Sequence, residues 1–161
     1  MELFWLQWLH LLAACIWIGG LLFLALVASP VLRHRFSAEE RGQLLGQLGR
    51  RFQPYAWAAL IVLILTGFRR GMLAFGGVPE LIEGLAATPY GRLLGAKLML
   101  VGVLVALQLV HDFLLGPRLA HMRQERSPGL ARARAATIGL AIGTVVLSLL
   151  VLALAARLRL V

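Results

Sequence analysis

Four long apolar stretches, separated by segments rich in charge, glycine and proline, set the pattern of this chain. They cover 4–31, 54–76, 92–116 and 134–156. Each is long enough to cross about 30 Å of hydrocarbon at ~1.5 Å rise per residue. The pattern predicts an all-α integral membrane protein: a four-helix transmembrane bundle in a single membrane domain spanning residues 1–161. The second stretch is the weakest, because Arg69 and Arg70 interrupt it.

The segments between the spans carry local signals of their own. Ser37 and Glu40 have capping-box spacing, and Leu44, Leu45 and Leu48 form one apolar stripe. That combination predicts a short helix inside the first loop. The middle loop, GGVPELIEGLAATPYG, reads as a surface helix with Pro79 in its first turn. Gly91 and Gly95 open the third span, and Gly139 and Gly143 sit in the fourth. Small residues four apart let helices approach closely in lipid.

A tandem repeat is also suggested. Span one leaves through SPVLRHRF and span three through GPRLAHMR. Pro30 and Pro117 are 87 positions apart, as are Leu32 and Leu119, and His34 and His121. The same shift sets His10 on Lys97. Two tandem helical hairpins in one orientation would produce this pattern.

Charge gives the chain a direction. The sequence has 16 basic residues against seven acidic ones and a formal net charge of +9. Five Arg lie in the first loop and five in the third, while the middle loop region and the termini share the other five, Arg157 and Arg159 among them. Basic residues collect on the cytoplasmic side. The expected location is therefore the cytoplasmic (inner) membrane, with loops one and three inside and both termini outside. Only Glu2 precedes the first apolar run, which is too long for a signal h-region, so no cleavable signal peptide is expected. Of the residues, 60% are hydrophobic and 14% charged, a composition that a soluble domain of this length could not bury. The excess positive charge lacks any zinc spacing or interleaved aromatic residues, so it is read as topogenic and lipid-directed rather than nucleic-acid binding. Cys15 is the single cysteine and excludes a disulfide framework.

Within this topology His10, Lys97, Arg69 and Arg70 all fall in the outer third of the bundle, and no acid lies within that half. Glu80 and Glu83 belong to the loop above. Ionisable residues inside a membrane usually face a partner or a cavity. One reading is an acidic ligand held by a cationic ring. A porphyrin such as heme b suits it, with His10 on the iron and Arg69, Arg70 and Lys97 toward the propionates. Trp17, Phe23, Ala13, Ala14, Gly19 and Gly20 would leave a flat slot for the macrocycle. Copper is the competing ligand, with His10, Met72 and Met99 as an imidazole and thioether set. Snorkelling arginines and a packing histidine are the structural alternatives.

Near the cytoplasmic end, His111 and Asp112 close the third span. Adjacent α-helical positions do not face each other. An Arg of loop one or loop three is therefore the expected partner of Asp112. His34 and His121 read as solvated loop residues, and His34, His111 and His121 as an alternative second metal site.

The segments WLHLLAACIWIGGLLF, RRFQPYAWAALIVLILTG and YGRLLGAKLMLVGVL resemble the membrane domain of the copper resistance D family. The most specific pieces are His10 with Trp17-Ile18-Gly19-Gly20, Arg51-Phe52 leading to Thr66-Gly67, and Gly91-Arg92 leading to Lys97. The resemblance implies copper uptake or tolerance. The same segments are similar, more distantly, to the HemJ-type protoporphyrinogen oxidases, which are four-helix membrane proteins that bind heme b. That likeness rests on His10, Pro30, Pro54, Gly67 and Lys97, and it departs from the family pattern at Gly95 and Ala96, where a second histidine would be expected. Three classes stay open: a heme-dependent redox protein, a copper transporter, and a small structural subunit. The bilayer is the expected partner, together with a redox partner or larger membrane complex, or a second copy of the chain.

Overall fold

The computed structural model describes residues 1–125 and 127–158. Arg126 and Arg159, both counted in the charge asymmetry, lie outside the described residues. The described chain is helical, with no strand. Four of its helices are long and apolar enough to cross a membrane: α1 (Glu2–Arg35), α2 (Ala38–Phe75), α4 (Pro89–Gln124) and α5 (Leu130–Arg157). A shorter helix, α3 (Val78–Ala87), follows α2 and has its proline at the expected first turn. The backbone divides into two compact units, Met1–Gly91 and Arg92–Val161.

In the first unit, α1 and α2 pack as an antiparallel pair. Their buried residues are mostly small: Ala13 and Ala28 on α1, Ala56 and Ala59 on α2, with Trp17 and Leu60 as the large ones. The Ser37–Glu40 capping box forms as expected, with the Glu40 N–H donating to Ser37 Oγ at 3.3 Å and the Ser37 N–H to Glu40 Oε2 at 2.9 Å. The helix it starts is not a separate loop helix, however. It continues through Pro54 into span two and ends at Phe75. Pro54 removes only the bond to the Arg50 carbonyl, whereas a break in lipid would strand several backbone groups. Gly76 ends α2 in the left-handed region at φ 98°, its N–H returning to Met72 O.

The α3–α4 junction is close. Thr88 Oγ1 accepts the Gly91 N–H at 2.9 Å and donates to Gly84 O at 3.2 Å. A Cβ on Gly91 would run into the Gly84 carbonyl, so backbone meets backbone here. In contrast, a Cβ on Gly139 or Gly143 would meet nothing within 4 Å. Within the second unit the span-four glycines therefore mark no close helix approach among the described residues.

In the second unit, α4 runs on past Asp112 and Pro117 to Gln124, further than the apolar pattern indicated. The reason is a local widening. Residues Val110–Leu115 form a π-turn, with the Gly116 N–H bonded to His111 O. The turn loosens the helix just ahead of Pro117, whose ring would otherwise crowd the preceding carbonyls. The same device stands in α1, where Phe23–Ala28 form a π-turn and the Ser29 N–H bonds Leu24 O. Phe23 and Val110 are 87 positions apart, as are Ala28 and Leu115 and the helix starts Glu2 and Pro89. The repeat suggested by three matched side chains is thus reproduced in backbone geometry.

Candidate functional site

His10 is held by α2. Its Nδ1 lies 2.8 Å from Thr66 Oγ1. The Thr66 hydroxyl has one proton, and its closest acceptor is Val62 O at 2.6 Å. When that proton goes to Val62 O, Oγ1 accepts from His10, with the proton on Nδ1 and the ring lone pair on Nε2. Gly67 makes room for the imidazole, because a Cβ there would stand 3.3 Å from His10 Cε1. Thr66 is buried and His10 half-buried. Two turns further along α1, Trp17 is the most buried large side chain, at 2% exposure. The slot expected beside Gly20 is filled: the Phe52 ring occupies the place of the missing Cβ.

At the start of α1, Arg69 Nε donates to Glu2 Oε1 at 2.8 Å, both side chains being about half exposed. The expectation that no acid offsets the outer cations therefore fails at Arg69, because the N-terminal turn of α1 reaches it. Such an exposed pair adds little stability, about 0–1 kcal/mol, but it changes the local charge. Arg70 and Met72 are half-buried on α2. Lys97, half-buried, and Met99, 75% exposed, lie on α4 in the second unit.

The second unit has its own polar cluster. His111 Nδ1 lies 2.9 Å from Asp112 Oδ1, and Gln108 Nε2 donates to Asp112 Oδ2 at 2.8 Å. The direct His111–Asp112 pair corrects the expectation that adjacent residues diverge. That rule holds for an α-helix, and these two residues stand in a π-turn. Gln108 and the Asp112 side chain are largely buried. His121 is solvated as expected but lies on α4 and not in a loop, with Glu125 3.2 Å away. Among the described residues no three His, Cys, Asp or Glu side chains assemble as a metal set.

Residues 46–158 match the family described as copper resistance protein D. The chain belongs to the copper resistance protein D family. The matched region takes in Thr66, Gly67, Lys97 and the His111–Asp112 pair and begins after His10. Within 119 residues the chain is 29% identical to an uncharacterized protein of Aquifex aeolicus (strain VF5), covering 73% of each. It is 30% identical over 139 residues to the copper transport protein CutJ of Bacillus subtilis (strain 168), covering 85% of this chain and 23% of CutJ. The chain thus spans about a quarter of that relative's length. No solved structure matches.

The family's likeness, as first read from sequence, paired pieces whose relation was not visible along the chain. In the fold, Phe52 seats against Gly20, and Thr66-Gly67 seats His10. Gln108 was missed altogether. Its only signal was a lone amide in an apolar run, four positions before Asp112.

Proposed function

We propose that this multi-pass membrane protein of the copper resistance protein D family carries copper through the cytoplasmic membrane, receiving the ion at His10. The observation that supports this most is the tautomer that Thr66 imposes. With Nδ1–H given to an oxygen, Nε2 carries the lone pair, and metal-bound imidazoles characteristically use this arrangement. Cu(I) favours imidazole and thioether donors. Met72 and Met99 are the thioethers we assign to the same cargo. The Glu2–Arg69 pair lowers the positive charge that would oppose a cation at the outer end. The family and the name of CutJ weigh in the same direction. In this reading loops one and three face the cytoplasm, and copper enters from the side of the termini.

The same tautomer suits heme b iron, with Arg70 and Lys97 toward the propionates, and one preparation separates the two. Protein purified in detergent is expected to show no Soret band and to take up Cu(I) in competition with a chromophoric chelator. His10→Ala should lose that uptake. Thr66→Val should keep it with affinity lowered about 10–100-fold, the usual effect of removing a supporting hydrogen bond. A Soret band abolished by His10→Ala would replace copper by heme. Copper uptake by His10→Ala equal to the wild type would end the assignment of this histidine.

A further inference from the structure

We infer that the first unit binds one anionic phospholipid in a groove between α1 and α2, with its phosphate on Arg51. The groove has a volume of about 250 Å³ and is walled by apolar side chains, Phe23 and Leu24 from α1 and Leu48 and Phe52 from α2. Two features described above create it. The π-turn widens α1 at Phe23, and the absent Cβ of Gly20 draws the Phe52 ring inward.

At this level the two helices differ in character. On α1 the sequence is still FLALVA, fit for hydrocarbon. On α2 it has already become Arg50-Arg51, three residues ahead of Pro54 where the apolar run begins. An occupant must therefore be apolar where it fills the groove and anionic at the edge where Arg51 stands. Arg51 is exposed and lines the groove, and none of the ion pairs among the described residues involves it. Tyr55, 67% exposed beside it, is the amphipathic ring that favours the headgroup boundary. The bilayer supplies a molecule with this division at high concentration. A zwitterionic lipid offers the same chains, but its own cation offsets the phosphate.

Native mass spectrometry of the detergent-purified full chain tests the proposal with phosphatidylglycerol and phosphatidylcholine of identical acyl chains. Phosphatidylglycerol should be retained about fivefold better, the effect of one arginine near an anionic headgroup. Arg51→Gln should abolish the preference, while Arg118→Gln, an exposed arginine of the second unit, should leave it unchanged. Leu48→Trp should fill the groove and lower retention of both lipids with Arg51 still in place. That variant also keeps the test decisive if Arg51→Gln does not fold. Glycerol phosphate without chains should not bind. Equal retention of the two lipids by the wild type overturns the proposal. So does an Arg118→Gln effect as large as that of Arg51→Gln, or full retention by Leu48→Trp.

Discussion

Gly91→Ala and Gly139→Ala make the same chemical change and should move stability in opposite directions. At Gly91 the added methyl would collide with the Gly84 carbonyl and approach Leu85 Cα, and no side chain is available to swing aside. The helices must separate, at a cost of about 1–3 kcal/mol for overpacking. Separation also stretches the Gly84–Thr88–Gly91 hydrogen bonds, whose loss adds about 1 kcal/mol. Ala returns about 1 kcal/mol through its better helix propensity. The net loss is about 1–3 kcal/mol, or a fall of roughly 2–12 °C in Tm for a chain of this size. At Gly139 the methyl meets open space, so only the propensity gain of about 1 kcal/mol operates. Thermal denaturation in detergent, followed by circular dichroism, reads both. If Gly91→Ala is as stable as the wild type, α3 and the start of α4 are not in backbone contact.

Gln108→Leu leaves Asp112 Oδ2 without its amide donor and should destabilise the protein by about 1–3 kcal/mol, which the same thermal scan would detect; no loss would mean that the amide does not hold the carboxylate. In a Cys15→Ser background, Glu83→Cys should react with an impermeant thiol reagent from outside intact cells and Gln47→Cys should not, and the reverse pattern would invert the membrane orientation. Replacing Met72 and Met99 together by Leu conserves volume; it should abolish Cu(I) uptake while circular dichroism stays unchanged, and retained uptake would end the assignment of these thioethers to copper.

What could be read along the chain was what depends on near neighbours. The Ser37–Glu40 cap needs residues three apart, and Pro79 announces its own helix start, so both were legible. The four apolar runs were legible because lipid demands length and hydrophobicity and little else. The partner of His10 was not, because Thr66 lies 56 positions away and a threonine in a span is ordinary. That the loop-one helix and span two are one helix was not legible for a different reason: the polar Arg50-Arg51 stretch ends the apolar pattern ahead of Pro54, while the backbone runs on unbroken. The His111–Asp112 pair was hidden by the assumption of uniform α geometry, although Pro117 stood close by to signal otherwise.

The paired π-turns also set the phase of each long helix. A π-turn takes one more residue into its ring than an α-turn does, and one residue in an α-helix turns the chain by roughly 100°. The faces before and after Phe23–Ala28 are therefore rotated relative to an uninterrupted helix, and those on either side of Val110–Leu115 by the same offset. Loss of a single residue such as Val27 would let the π-turn close to an ordinary α-turn, so the faces on either side would keep their orientation toward α2. These two segments can thus absorb the loss of one residue, which an uninterrupted α-helix would answer with a rotation of about 100°.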